Sequence, residues 1–137
     1  MNNIILEALN GHLATKPGNP PIAWPNQSFN VATVTGDSYY RVALLPGIPE
    51  QIELGDTASN RLSGIYQVSV YWRAGKSGVK PSQEADIIIA RFKRGTALIA
   101  GALIVKVNAP PYQSPAQQEP DWYFIPVSIP YICDAPN

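Results

Sequence analysis

The sequence predicts an α+β fold: a mainly antiparallel or mixed sheet with two helices packed on it, in a single domain spanning residues 1–137. Two segments place apolar residues at helical spacing. Several others alternate with a period of two. Their order of helix, strands, helix, strands does not fit the strict alternation of a doubly wound parallel sheet. Fourteen prolines and ten glycines in 137 residues exceed the usual share of roughly 12%, which points to short strands and punctuated loops. A chain of this length suits one domain and buries about two-thirds of the surface that its unfolded form exposes.

The first helix is expected over residues 1–15, with Ile5, Leu6, Leu9 and Leu13 on one stripe and Lys16-Pro17-Gly18 as the stop. Asn2 or Asn3 is its candidate cap, and Gly11 weakens it by up to ~1 kcal/mol relative to alanine. Four prolines in residues 17–30 forbid a helix or a central strand there. A strand follows over 39–45, then a short arm at 50–55 and a polar turn at 56–60. The segment Gly47 to Asn60 as a whole holds few large apolar anchors, so it is expected to be weakly protected in the free chain and to order on assembly.

Residues 61–73 form the clearest strand, with Tyr66, Val68, Val70 and Trp72 on its more apolar face. A basic loop at 74–81 leads to a helix over 82–94. Ser82 is its expected N-cap, Glu84 and Asp86 lie in the first turn, and Arg91, Lys93 and Arg94 in the last. Ala85, Ile88, Ile89 and Phe92 make its buried stripe, and Gly95 ends it. Strands are expected at 97–108 and 122–132, with an exposed loop at 109–120 between them. In the last strand Tyr123, Ile125, Val127, Ile129 and Tyr131 share a face. Pro126 and Pro130 share the opposite parity, so this strand should lie at an edge or carry bulges.

Composition excludes several classes. Ten basic and ten acidic residues cancel, giving no overall pull toward nucleic acid or anionic membranes. One cysteine, Cys133, cannot close an internal disulfide, and one histidine, His12, cannot build a multi-histidine metal site. No apolar run approaches ~18 residues and no basic leader precedes one, so a globular domain of intracellular type is expected.

Catalytic motifs are equally scarce. The one thiol–imidazole pairing, Cys133 with His12, joins opposite ends of the chain and sits in no recognisable turn. The GKSG string at Gly75 lacks both the upstream glycine and the following helix of a phosphate loop. The carboxylate pairs Glu50/Glu53, Glu84/Asp86 and Glu119/Asp121 are accounted for by solubility or by the helix dipole. No cofactor and no metal is expected, and no enzymatic activity.

Charge placement is more informative. Residues 73–106 carry seven basic side chains (Arg73, Lys76, Lys80, Arg91, Lys93, Arg94, Lys106) against two acidic ones, whereas both flanks are net acidic. This pattern describes either a solvated helix end and loop or a surface that meets an acidic patch, such as one on a sister copy. In the second case the basic side is Arg73, Lys76, Lys80, Arg91, Lys93 and Arg94. The acidic side is Glu50, Glu53 and Asp56, or Glu119 and Asp121.

Several strings combine in order: ILEALNGHLAT before IAWPNQSF, LLPG before QIELG, then RLSGIYQVSVYWRAG, EADIIIARFKRGT and DWYFIPVSIPY. Together they resemble the phage tail-terminator-like family over nearly the whole chain. The most specific pieces are Ala23-Trp24-Pro25-Asn26, Gly64-Ile65-Tyr66, Ala85-Asp86 through Phe92, and Trp122-Tyr123. The resemblance implies an α+β fold and a structural role: a hexameric ring that caps the head-proximal end of a long non-contractile tail, stops tube polymerisation and presents a surface to the head. It implies as partners other copies of the chain, the tail tube protein and the head–tail connector. DNA passes through the ring without specific binding, and no membrane is involved. It places the protein in the virion, and in the host cytoplasm during assembly. It supplies no catalytic residues, and Trp24, Phe92 and Trp122 read as apolar anchors with Pro25-Asn26 as a turn. The alternatives are another head–tail joining or tube protein, or a small ligand- or polysaccharide-binding module using Tyr39, Tyr40, Trp72, Tyr112, Trp122 and Tyr123.

Overall fold

The computed structural model describes residues 2–52, 55 and 59–136. Helix α1 (Asn2–Ala14) precedes strands β1 (Ile22–Ala23), β2 (Ser38–Pro46), β3 (Glu50–Gln51) and β4 (Ser59–Arg73). Helix α2 (Val79–Arg91) leads to β5 (Ala97–Ala100), β6 (Leu103–Val107), β7 (Tyr112–Gln113), β8 (Gln117–Gln118) and β9 (Trp122–Pro136). All belong to one mixed sheet of order β1-β2-β4-β9-β6-β5, with β3 beside β4 and β7 and β8 beside β9. The β1–β2 pairing is parallel and the others are antiparallel.

Pairing register aligns the apolar residues on one face. Tyr40 lies opposite Val70, which lies opposite Ile125; Val42, Val68 and Val127 make the next row. Both helices cover this face. Ile5, Leu9 and Leu13 of α1 and Ala85, Ile88 and Phe92 at α2 are fully buried in one cluster with the strand residues. The expected stripes are therefore the ones that pack. Leu6 and Ile89 sit at their margins, half-buried. The opposite face is covered only in part. Phe29, Val31 and Val34 lie over Tyr39, Tyr71 and Trp122, where Tyr39 and Tyr71 stack at 4.6 Å and Tyr71 and Phe124 at 4.5 Å. Trp24 packs half-buried against the main core, and Asn26 turns the chain with φ of +53°.

Four boundaries depart from the sequence expectation. Helix α2 begins at Val79 rather than after Ser82, so a helix does follow the GKSG string and only the upstream glycine of a phosphate loop is missing, with Val70 in its place. Pro81 falls in its first turn, where a missing N–H costs nothing. The Ser77 hydroxyl oxygen accepts the Val79 N–H at 3.0 Å, while Ser82 faces Gln113 of β7 instead. Glu84 and Asp86 therefore lie past the first turn, and Lys93 and Arg94 lie beyond the last. The expected strand at 97–108 is a hairpin, β5–β6, turned at Gly101 with φ of +64°. An unbroken apolar run hid the turn. The region read as a loop at 109–120 contributes β7 and β8 to the flank of β9. Ser59 and Asn60 open β4, Glu50 and Gln51 pair with it as β3, and Glu53, Leu54 and residues 56–58 lie outside the described residues.

Strand β9 is the fourth correction. It lies in the middle of the sheet and pairs with β4 in unbroken register from Ser59↔Pro136 to Arg73↔Trp122. Its prolines are tolerated because their polar edges face the other flank. Ser114 N–H donates to the Pro126 carbonyl at 2.8 Å, and Pro130 has the same parity. On that flank β6, β7 and β8 supply only short pairings, which stop at or between the prolines.

Truncating Phe92 removes the aromatic anchor at the end of α2, and Phe92→Ala should cost ~3–5 kcal/mol of unfolding free energy in urea melts. Two glycine substitutions should act in opposite directions. A Cβ on Gly64 would stand 2.5 Å from the Leu45 carbonyl oxygen and 2.8 Å from the Tyr131 hydroxyl, so Gly64→Ala should destabilise by about 1–3 kcal/mol. A Cβ on Gly11 meets nothing within 4 Å, so Gly11→Ala should stabilise by roughly 0.5–1 kcal/mol.

Candidate interaction surfaces

The side chains with chemical potential are mostly tied into the fold. Cys133 is buried on the helix-covered face of β9, where burial pushes its thiol pKa up. His12 packs edge-on against Phe92 at 4.9 Å, and its Nε2 lies 2.8 Å from the Arg91 carbonyl oxygen. No hydrogen bond joins the two among the described residues. Nor do the described residues contain a group of three or more His, Cys, Asp or Glu able to hold a metal ion. No described helix is long and apolar enough to cross a membrane.

Of the basic residues expected at an interface, two are engaged internally. Arg73 donates to the Val34 carbonyl at 2.6 Å and the Gly36 carbonyl at 3.1 Å, and its guanidinium lies 4.7 Å from the Trp122 ring. It thereby straps the 31–37 segment onto the sheet. Arg91 donates to the His12 carbonyl at 3.1 Å and the Thr15 hydroxyl at 2.7 Å. With the His12–Arg91 carbonyl contact, this makes a reciprocal clasp between the C-terminal turns of α1 and α2. Lys76, Lys80, Lys93 and Arg94 are exposed, but α2 stands between the two pairs. Its 13 residues separate them by about 20 Å. The basic stretch of sequence is thus two clusters at opposite ends of a helix. Glu50 is exposed on β3, and Glu53 and Asp56 lie outside the described residues.

Sequence reasoning missed two features. Lys16, read as part of a helix stop, is only 5% exposed and reaches Glu84 at 3.3 Å, the Tyr40 hydroxyl at 3.2 Å and Asn19 at 3.3 Å. The Tyr40 hydroxyl also bonds Glu84. Burial, reinforced by the Glu84 carboxylate, raises the Tyr40 pKa far above the usual phenol range, so Tyr40 stays protonated and donates. This triad ties α1, β2 and α2 together, and its only local signal was charge placed beside helix ends. The second feature is apolar exposure at one sheet edge: Ile99 is 83% and Ile104 51% exposed. The aromatics considered as a ligand platform do not form one. Tyr39, Tyr40 and Trp122 are buried, Trp72 and Tyr123 half-buried, and Tyr112 alone among them is exposed.

The arrangement defines a small α+β protein distinguished by its charged and apolar surfaces. The model of the phage tail terminator protein family matches residues 4–131, and the chain belongs to that family. It is a phage tail structural protein and hence a virion component. No curated protein matches it. A solved structure whose name states no function matches with a TM-score of 0.75 at 21% identity, covering 97% of this chain and 95% of its own. At that identity the likeness establishes the fold.

Replacing Lys16 by methionine keeps the stem's volume but leaves Glu84 and Tyr40 without their cation. Lys16→Met should lower stability by about 1.5–3 kcal/mol, the range for a hydrogen bond to a charged group. Thermal melts at neutral pH check this, and a loss no larger than that of an exposed lysine would show that the triad is mechanically idle.

Proposed function

We propose that this chain is the tail terminator itself: a hexameric ring that caps the head-proximal end of the tail tube, halts tube polymerisation and forms the surface that joins the head. Family membership over residues 4–131 carries the proposal. The partners are other copies of the chain, the tail tube protein below and the head–tail connector above. DNA passes through the ring without sequence-specific contact.

The dimensions and surfaces support this reading. A compact domain of this length has a radius of gyration near ~14 Å and an equivalent diameter of ~37 Å. Six such bodies touching in a ring leave a hole about one subunit wide, which admits a duplex. A cyclic ring needs two different, complementary surfaces on each subunit. The free basic residues Lys76, Lys80, Lys93 and Arg94 and the acidic Glu50, Glu53 and Asp56 are the candidates for those surfaces. Charge would set register while apolar contacts supply affinity, because exposed ion pairs contribute only ~0–1 kcal/mol each.

Electron microscopy of tails assembled with and without the chain tests the proposal. Without it, tubes should be overlong, heterogeneous in length and unjoined to heads. Purified protein added to growing tubes should stop elongation and appear as a ring at one end. Tubes of normal length joined to heads in its absence would overturn the assignment, and incorporation along the tube would identify a tube protein instead.

A further inference from the structure

Resting on the ring reading, we propose that the arm 46–52 of each subunit docks on the β5–β6 edge of the next copy. The two surfaces close opposite edges of the sheet at the same level. Glu50 lies opposite Arg61, which lies opposite Asp134. The β9–β6 register, with Val105 opposite Cys133, places Ile104 beside Asp134, and Ile104 lies opposite Ile99. This row crosses the sheet from arm to edge in four strand steps, about 19 Å.

Each surface has what the other lacks. Strand β5 ends the sheet with no strand on its outer side among the described residues, an edge of the kind that folds usually cover or blunt. Ile99 and Ile104 stand exposed there. Beside them is a depression of about 340 Å³ lined by Arg61, Leu103, Ile104, Lys106, Ile132 and Asp134. On the opposite edge, Ile48 is 87% and Ile52 39% exposed, in an arm stiffened by Pro46 and Pro49. Exposed isoleucines beside a carboxylate on the arm match a depression in which Leu103, Ile104 and Ile132 lie beside Lys106 and the paired Arg61 and Asp134.

Charge selects this pairing over its rivals. The arm carries Glu50, and its sequence continues through Glu53 and Asp56. The receiving edge has exposed Lys106, with exposed Lys93 and Arg94 in the turn leading to β5. Arm on arm would set acid against acid, and edge on edge would set base against base. Arm on edge is attractive, and it is the head-to-tail contact that closes a ring.

Proximity crosslinking tests the contact. Ile48→Cys and Ile99→Cys are made in separate batches of full-length protein and assembled on tail tubes, singly or mixed, with a short bis-maleimide. The native Cys133 is buried and serves as the unreactive background. Crosslinked dimers are expected in the mixture and not in either variant alone. Dimers in the single-variant samples, or none in the mixture, would overturn the proposal. Ile99→Asp and Ile48→Asp, both at exposed positions, should each cut ring assembly by roughly tenfold or more while leaving the monomer's circular dichroism unchanged. Rings at wild-type yield from both would also overturn it. Wild-type protein run in parallel separates the two readings: if it forms no ring on tubes, the terminator assignment fails, whereas rings without the crosslink sink this contact alone.

Discussion

Strands β4 and β9 run antiparallel over fifteen residues each without a break in register, and everything else hangs on that ladder. It aligns Tyr66 with Ile129, Val68 with Val127 and Val70 with Ile125, so a one-residue slip would turn the whole apolar row outward. Both helices dock on the row, and β2 and β6 extend it on either side. The ladder is long because β9 keeps every β4-facing polar group available despite three prolines, Pro126, Pro130 and Pro136, all of one parity. Burial of the row, rather than helix propensity, then holds α1 in place: at 13 residues it is of marginal length on its own.

The two helices are also coupled to each other. The Arg91–His12 clasp joins their C-terminal turns, and the Lys16–Glu84–Tyr40 triad joins the end of α1 to the middle of α2 through β2. A partly buried ion pair is a weak source of stability but a firm constraint on arrangement, because leaving one partner unpaired costs more than the pair contributes. The helix layer is therefore tied across its own width as well as to the sheet beneath it.

The elements were legible wherever one periodicity held throughout. The stripe Ile5, Leu9, Leu13, the alternation from Tyr66 to Trp72 and the stripe ending at Phe92 each needed only local pattern. Boundaries were lost where two elements shared one composition, as at Gly101 inside an apolar run, or where a proline sat inside an element it was read as ending, as Pro81 does in a helix's first turn and Pro126 does in a central strand. The family resemblance was carried by strings spread along the chain and survives as membership. The interaction surface was the least legible part. The partners of Arg73 and Arg91 are mainly backbone carbonyls, which a sequence shows at every position and so marks at none. The two lysine-bearing clusters look contiguous along the chain because a helix that separates them in space adds few residues between them.

The proline-marked flank of β9 has a further consequence. Its pairing there is discontinuous, so residues 108–121 are anchored at short intervals instead of being zipped along their length. A chain attached in that way can gain or lose a few residues between anchors without shifting the ladder beneath. Insertions and deletions among related proteins should therefore collect in this stretch, letting one scaffold be refitted to tails of different make while its core sequence stays under packing constraint.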